Sequence, residues 1–237
     1  MKKTIVLLFA LGIAFISSSQ TSNEHFEKGN SKLNSQDYNG AILDFTKAIE
    51  MNPKDADAFY NRGLAKFYSI GLDNNDAILD FNKAIEINPK YDKAFYNRGL
   101  AKYYLWDISG AILDYTKAIE INPKYDKAFY NRGNAKLNSQ DYNGAILDFT
   151  KAIEINPKDA DAFYNRGVAK ARLKDFNGAI LDYTKAIEIN PQYADAFIKR
   201  GIAKININQN DDGCKDLGKA IELGSVLARV DFKTYCN

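Results

Sequence analysis

The stretch KLNSQDYNGAILDFTKAIE, Lys136 to Glu154, occurs twice, because Lys32 to Glu50 repeats it residue for residue. A second identity joins Pro89 to Gly99 with Pro123 to Gly133. Identical segments placed in equivalent surroundings adopt one conformation, so the chain is built from copies of a single supersecondary unit. Asn-Pro gives the period: Pro53, Pro89, Pro123, Pro157 and Pro191 are spaced 36, 34, 34 and 34 residues apart. Extended along the chain, this period predicts six units at about 22–55, 56–91, 92–125, 126–159, 160–193 and 194–224.

Each unit reads as two amphipathic helices. In Asp126 to Asn138 the residues Phe129, Tyr130, Ala135 and Leu137 fall near helical spacing, and from Asp141 to Asn156 the residues Ala145, Ile146, Phe149, Ala152 and Ile153 follow i, i+3, i+4. Pro123 disfavours a helical Asn122 and so closes the helix before it. Asp141, after the polar turn Asn138-Ser139-Gln140, is a natural N-cap for the second helix. Helices this short are marginal alone, so each pair must stack on its neighbours.

These residues resemble the tetratricopeptide repeat family. One unit reads Phe129-Tyr130-Asn131-Arg132-Gly133, then Ala145, Phe149 and Ala152, then Pro157, and the likeness extends over about residues 22–224. The resemblance implies an all-α fold: a right-handed α-solenoid of about six antiparallel helix pairs, with a capping helix over residues 225–237. Gly63, Gly99, Gly133, Gly167 and Gly201 are expected to let the two helices of a pair approach closely opposite Ala77, Ala111, Ala145 and Ala179. Two positions depart from the family pattern: Arg62, Arg98, Arg132, Arg166 and Arg200 replace Leu, and Lys66, Lys102, Lys136, Lys170 and Lys204 replace Tyr. A buried Arg without a partner is costly. Asp80, Asp114, Asp148, Asp182 and Asp216 are the expected partners across each pair, with the Lys stems reaching out to solvent. The competing reading turns the arginines toward acidic ligands. The second unit is two residues longer, over Tyr68 to Asn75.

Met1-Lys2-Lys3, an apolar run from Thr4 to Ile16 and then Ser17-Ser18-Ser19 have the layout of a secretory signal peptide over residues 1–19. An exported protein, periplasmic or secreted, is expected, with no stable membrane span after cleavage, since a helix needs about 20 apolar residues to cross. Without those residues the chain carries 30 basic and 30 acidic side chains, and their alternation along helix faces argues against nucleic acid. Cys214 and Cys236 lie at similar distances on either side of Gly224-Ser225, so an antiparallel hairpin would join them in a disulfide. No metal site is expected, because His25 is far away in the sequence. No catalytic, nucleotide or cofactor motif stands out: the glycines occur singly and the carboxylates recur at the unit period. His25 reads as a packing or surface residue, and Trp106 as turn packing.

The resemblance further implies that the first helices line a groove that holds another protein or peptide. Asn61, Asn97, Asn131 and Asn165 would form a ladder there, similar to the asparagine ladder of O-linked N-acetylglucosamine transferases, whose amides donate and accept hydrogen bonds to a peptide backbone. Bonds from each Asn to the neighbouring repeat alone are the alternative. Tyr60, Tyr96, Tyr130 and Tyr164 run beside the ladder, with Tyr103 and Tyr104 adding aromatic surface, half or more of it inter-repeat core. Lys93 and Lys127 are the basic groove candidates; Tyr60 and Tyr96 stand where a carboxylate clamp would have Lys, which disfavours that partner class. Self-association of the near-identical repeats is the alternative function.

Overall fold

The computed structural model describes residues 21–69 and 74–236. The expected cleavable segment, and residues 70–73 of the lengthened turn, lie outside the described residues. Thirteen helices and no strand are present among the described residues. They run α1 (21–34), α2 (Tyr38–Met51), α3 (Ala56–Tyr68), α4 (Asn74–Ile87), α5 (Asp92–Tyr104), α6 (Ile108–Ile121), α7 (Asp126–Asn138), α8 (Tyr142–Ile155), α9 (Ala160–Arg172), α10 (Phe176–Ile189), α11 (Ala194–Ile205), α12 (Asn210–Glu222) and α13 (Val226–Tyr235). They form two compact units, one ending at Asn122 and the other beginning at Pro123.

Local chemistry sets the boundaries. Asp37, Asp107, Asp141 and Asp175 cap the second helices by accepting from the backbone N–H of Gly40, Gly110, Gly144 and Gly178. The turn before each of these caps passes through a residue with positive φ: Gln36, Trp106, Gln140 and Lys174, at 63° or 64°. In the fourth pair the N–H of Asp141 returns to the carbonyl of Lys136 at 2.9 Å, a Schellman-type closure.

Within each unit the pairs stack in chain order. The second-helix rings Phe45 and Phe81 in one unit, and Phe149 and Tyr183 in the other, are almost fully buried. Each such side chain contributes about 2–3 kcal/mol of transfer free energy. The glycines face these rings rather than the alanines. A Cβ on Gly63 would stand 2.7 Å from Phe81, on Gly99 2.8 Å from Tyr115, on Gly133 2.8 Å from Phe149 and on Gly167 2.7 Å from Tyr183. A large ring seats against the first helix only where bare backbone receives it. The alanines instead pack on the next pair, Ala77 near Ala101, Ala145 near Ala169 and Ala179 near Ala203.

Charge is buried at the same level. Asp80, Asp114, Asp148, Asp182 and Asp216 are 3–6% exposed, and each takes two N–H bonds from the Arg of its pair. The expected Lys snorkelling gives way to a second contact: Nζ of Lys66, Lys102, Lys136, Lys170 and Lys204 lies 2.7–2.8 Å from these same carboxylates. Two cations on one buried carboxylate supply more hydrogen bonds than one, which offsets its desolvation. Each guanidinium also sits over the Phe three residues earlier on its own helix, 5.3–5.6 Å from the ring centre. The first pair substitutes His25 and Lys32, which both reach Asp44.

α13 lies on α12 and buries Ala228, and the sulfurs of Cys214 and Cys236 are joined across them.

Candidate functional site

In both units the first helices of successive pairs touch, α3 with α5, α7 with α9, and α9 with α11, whereas among the described residues no second-helix pair does so to that extent. Each unit therefore curves with its first helices inside. Hydrogen bonds tie that inner face together. Asn61 Nδ2 donates to Asn30 Oδ1 at 3.1 Å, and Asn97 Nδ2 to the Tyr60 hydroxyl at 3.0 Å and the Lys93 carbonyl at 2.9 Å. In the other unit Asn165 Nδ2 donates to the Tyr130 hydroxyl at 3.0 Å and to Asn134 Oδ1 at 3.1 Å, and Asn131 Nδ2 to the Lys127 carbonyl at 3.1 Å. Asn97 is buried.

An amide nitrogen carries two protons, and Asn97 and Asn165 have committed both. What each of these rungs has left for a ligand is its carbonyl oxygen, an acceptor suited to a peptide N–H. The side chains of Lys93 and Lys127 are exposed.

The tyrosines divide. Tyr60 packs 6.0 Å from Phe81 and 4.9 Å from Tyr91, Tyr96 5.9 Å from Tyr115, Tyr130 5.9 Å from Phe149, and Tyr164 5.8 Å from Tyr183. These are half-buried rings, and the hydroxyls of Tyr60 and Tyr130 meet the inner-face amides of Asn97 and Asn165. Burial holds the Tyr60 phenol well above its ordinary pKa, and burial followed by the charge of Asp195 pushes Tyr164 up to about 12. Both stay protonated near neutrality, which suits hydrogen bonding and not acid–base work. Tyr104 is 63% exposed. Trp106, expected as turn packing, is instead 80% exposed, because the positive-φ turn throws its side chain outward. The five arginines are spent on their aspartates, so they present no row of free cations to an acidic ligand.

One feature was not anticipated from the sequence. A hollow of about 240 Å³ opens among α9, α10 and α11, lined by Val168, Phe176, Tyr183 and Ile202, with Arg172 and Lys199 on its walls. Neither cation is ion-paired among the described residues. The signal lay in the ladder itself, because Lys199 occupies in the sixth pair the position held by Asn165 in the fifth. No group of three or more His, Cys, Asp or Glu side chains is placed to hold a metal among the described residues. No helix among them is long and apolar enough to cross a membrane.

Comparison with known proteins agrees with this architecture. The family described as TPR repeat matches residues 29–69, 107–140 and 133–174, and that described as tetratricopeptide repeat matches 160–193. No curated protein sequence matches the chain. Among solved structures it is similar to MamA, with 26% identity over 74% of this chain and 95% of that one and a TM-score of 0.67. YrrB, described as a TPR protein with an unusual peptide-binding site, is 24% identical over 80% of this chain and 97% of that one, with a TM-score of 0.71. PilF of Pseudomonas aeruginosa is 16% identical over 92% of this chain and 99% of that one, with a TM-score of 0.76. With tetratricopeptide matches over more than half of its length and the paired-helix packing described above, the chain belongs to the tetratricopeptide repeat family.

Proposed function

We propose that this protein is a non-catalytic scaffold that holds an extended segment of another protein against the inner face of its first helices. The observation that carries the reading is the closeness of those helices, which within each unit brings an Asn and a Tyr hydroxyl of successive repeats together in a polar row. Packed helices stand about 8–10 Å apart. An extended chain covers that distance in about three residues, so every third N–H of a ligand can meet one rung. The peptide-binding site ascribed to YrrB supports this use of the fold. The positive hollow at Arg172 and Lys199 gives one end of the row an attraction for acidic groups. An exported location fits the Cys214–Cys236 disulfide, which persists in oxidising compartments.

The test begins with capture from an envelope extract on the full chain and identification by mass spectrometry. The captured segment is then synthesised in native and backbone N-methylated forms. Binding by the native peptide and loss on N-methylation are expected; equal binding of both forms would remove the Asn rungs from the mechanism. Asn97→Ala is a poor probe, since this amide also holds α3 to α5.

Self-association is favoured by a different surface. Leu43, Leu79 and Leu113 on the second helices of one unit, and Leu147 and Leu181 in the other, are 64–72% exposed. Light scattering that finds a monomer at all concentrations would exclude it.

A further inference from the structure

Six near-copies of one unit form an internal control: a side chain found in some copies and absent from others is not required by the fold. In the unit ending at Asn122, rings at the C-terminal ends of the first helices, with Tyr38 at the start of α2, form an unbroken run. Tyr38 lies 6.1 Å from Tyr68, Tyr68 5.2 Å from Phe67, Phe67 5.8 Å from Tyr104 and Tyr104 6.2 Å from Tyr103. Tyr68 is 52% and Tyr104 63% exposed. The position of Tyr68 and Tyr104 is held by Asn34, Asn138, Arg172 and Asn206 in the other pairs, and that of Phe67 and Tyr103 by Leu33, Leu137, Ala171 and Ile205. The adjoining turn adds an independent oddity. Its positive-φ position takes Gln36, Gln140, Lys174 and Asn208 elsewhere but Trp106 in the third pair. A bulky side chain held in a left-handed conformation and four-fifths exposed returns little to folding.

We infer that the ring run Tyr38, Tyr68, Phe67, Tyr104 and Tyr103, with Trp106 beside it in sequence, is a docking site for a proline-rich segment of another protein in the polyproline II conformation. Three observations select that occupant. The charges next to the run in sequence are committed: Lys66 and Lys102 to Asp80 and Asp114, and Asp107 to capping α6. A phosphate chain thus finds no free cation among these described sequence neighbours. The rings meet at varied angles, 30° for Tyr38 and Tyr68, 51° for Phe67 and Tyr104, 75° for Phe67 and Tyr68 and 83° for Tyr103 and Tyr104. Rings at such mixed angles expose both faces and edges, the apolar surface on which the pyrrolidine rings of a polyproline II segment dock. Finally, a polyproline II segment offers carbonyls and no N–H, and phenol hydroxyls are donors. The site goes beyond the scaffold reading and is independent of the Asn rungs, which require a ligand N–H that proline lacks.

The test uses the full chain and an acetylated, amidated proline decamer, followed by calorimetry and by the fluorescence of Trp106, the single tryptophan. Saturable binding is expected. Tyr68→Ser with Tyr104→Ser should weaken it about tenfold or more, Tyr68→Phe with Tyr104→Phe, which keeps the rings and removes two donors, should weaken it by a smaller factor, and Asn131→Ala should leave it unchanged. Far-UV circular dichroism checks that the exposed substitutions leave the helices intact. Absence of heat and of any fluorescence change at millimolar peptide overturns the proposal. So does binding that survives the double Ser variant, or binding of a neutral hexasaccharide in place of the proline peptide. Loss of N-methyl sensitivity in the scaffold test, with proline binding intact, would retire the Asn rungs and leave this site standing.

Discussion

Asp148→Ala probes what holds a helix pair together. The carboxylate is 3% exposed, receives Arg132 through bonds of 2.9 and 2.7 Å, and has Lys136 Nζ at 2.8 Å. Its removal takes the shared carboxylate away from two cations, 14% and 20% exposed. Removing one partner of a buried pair costs roughly 3–5 kcal/mol. Both cations keep some contact with solvent, which places the expected loss at the lower end, about 3 kcal/mol. Asp148→Asn keeps the shape and one acceptor and should cost about 2 kcal/mol, the worth of a charge-assisted bond. Lys151 and Glu154 form an exposed pair, 58% and 55% open, so Lys151→Ala should cost less than about 0.5 kcal/mol. The assay is urea unfolding of the full chain followed by circular dichroism. Asp148 lies in the unit that begins at Pro123 and Asp114 in the one that ends at Asn122, so Asp114→Ala puts the same question to the other unit. An Asp148→Ala variant as stable as Lys151→Ala would refute the reasoning, since the pairs would then rest on apolar packing alone.

Tyr115 is fully buried and its hydroxyl has no hydrogen-bond partner among the described residues, while Phe45, Phe81 and Phe149 fill the same position elsewhere. Tyr115→Phe should therefore raise stability by about 1 kcal/mol, and a lower melting temperature would show that the hydroxyl is bonded. Reduction of Cys214–Cys236, which closes a 22-residue separation, should cost about 3 kcal/mol and speed proteolysis within α13; an unchanged cleavage rate counts against a stapled cap. Burial raises the pKa of Asp44, but hydrogen bonds from Lys32 and His25 outweigh it and hold the carboxyl below its ordinary value. A depressed carboxyl contributes stability above its unfolded value, about 4, and loses it as pH falls through the folded one. Acid unfolding of Asp44→Asn should accordingly be flatter below about pH 4 than that of the parent chain, and parallel curves would contradict the pairing.

The period, the Asp caps and the Arg–Asp pairs were legible in the sequence because each is stated several times over. Complementary residue types 16 residues apart, or 18 where the turn is longer, leave one arrangement that buries no lone charge. Other features depend on where a flexible group ends up. The lysine stems can reach solvent or a carboxylate with equal ease by length, and only the packed geometry shows Lys136 on Asp148. Periodicity puts Gly133 on the face toward the second helix and is silent about whether Ala145 or the Phe149 ring meets it. It puts Asn97 on the inner face without revealing that both amide protons are already used. The break between the two compact units has no sequence mark, since Asn122-Pro123 is the same dipeptide as at every other unit border.

Redundancy turns the remaining differences into information about function. Where the fold alone decides, the copies agree: Gly, Lys and Asp recur in all six pairs and Arg in five, because a change would bury a charge or a clash. The first-helix ends carry no such penalty. Asn34 and Asn138 satisfy them with polar side chains, so Tyr68 and Tyr104 expose ring area that folding does not call for. Apolar surface left in water is a standing liability to aggregation. Its confinement to adjacent pairs, where the rings touch one another, is what a contact surface requires and what random drift among copies would not assemble. The inner face and the ring run thus divide recognition by backbone chemistry. One offers acceptors to a ligand that has N–H groups, and the other offers tilted rings and phenol donors to a ligand that lacks them.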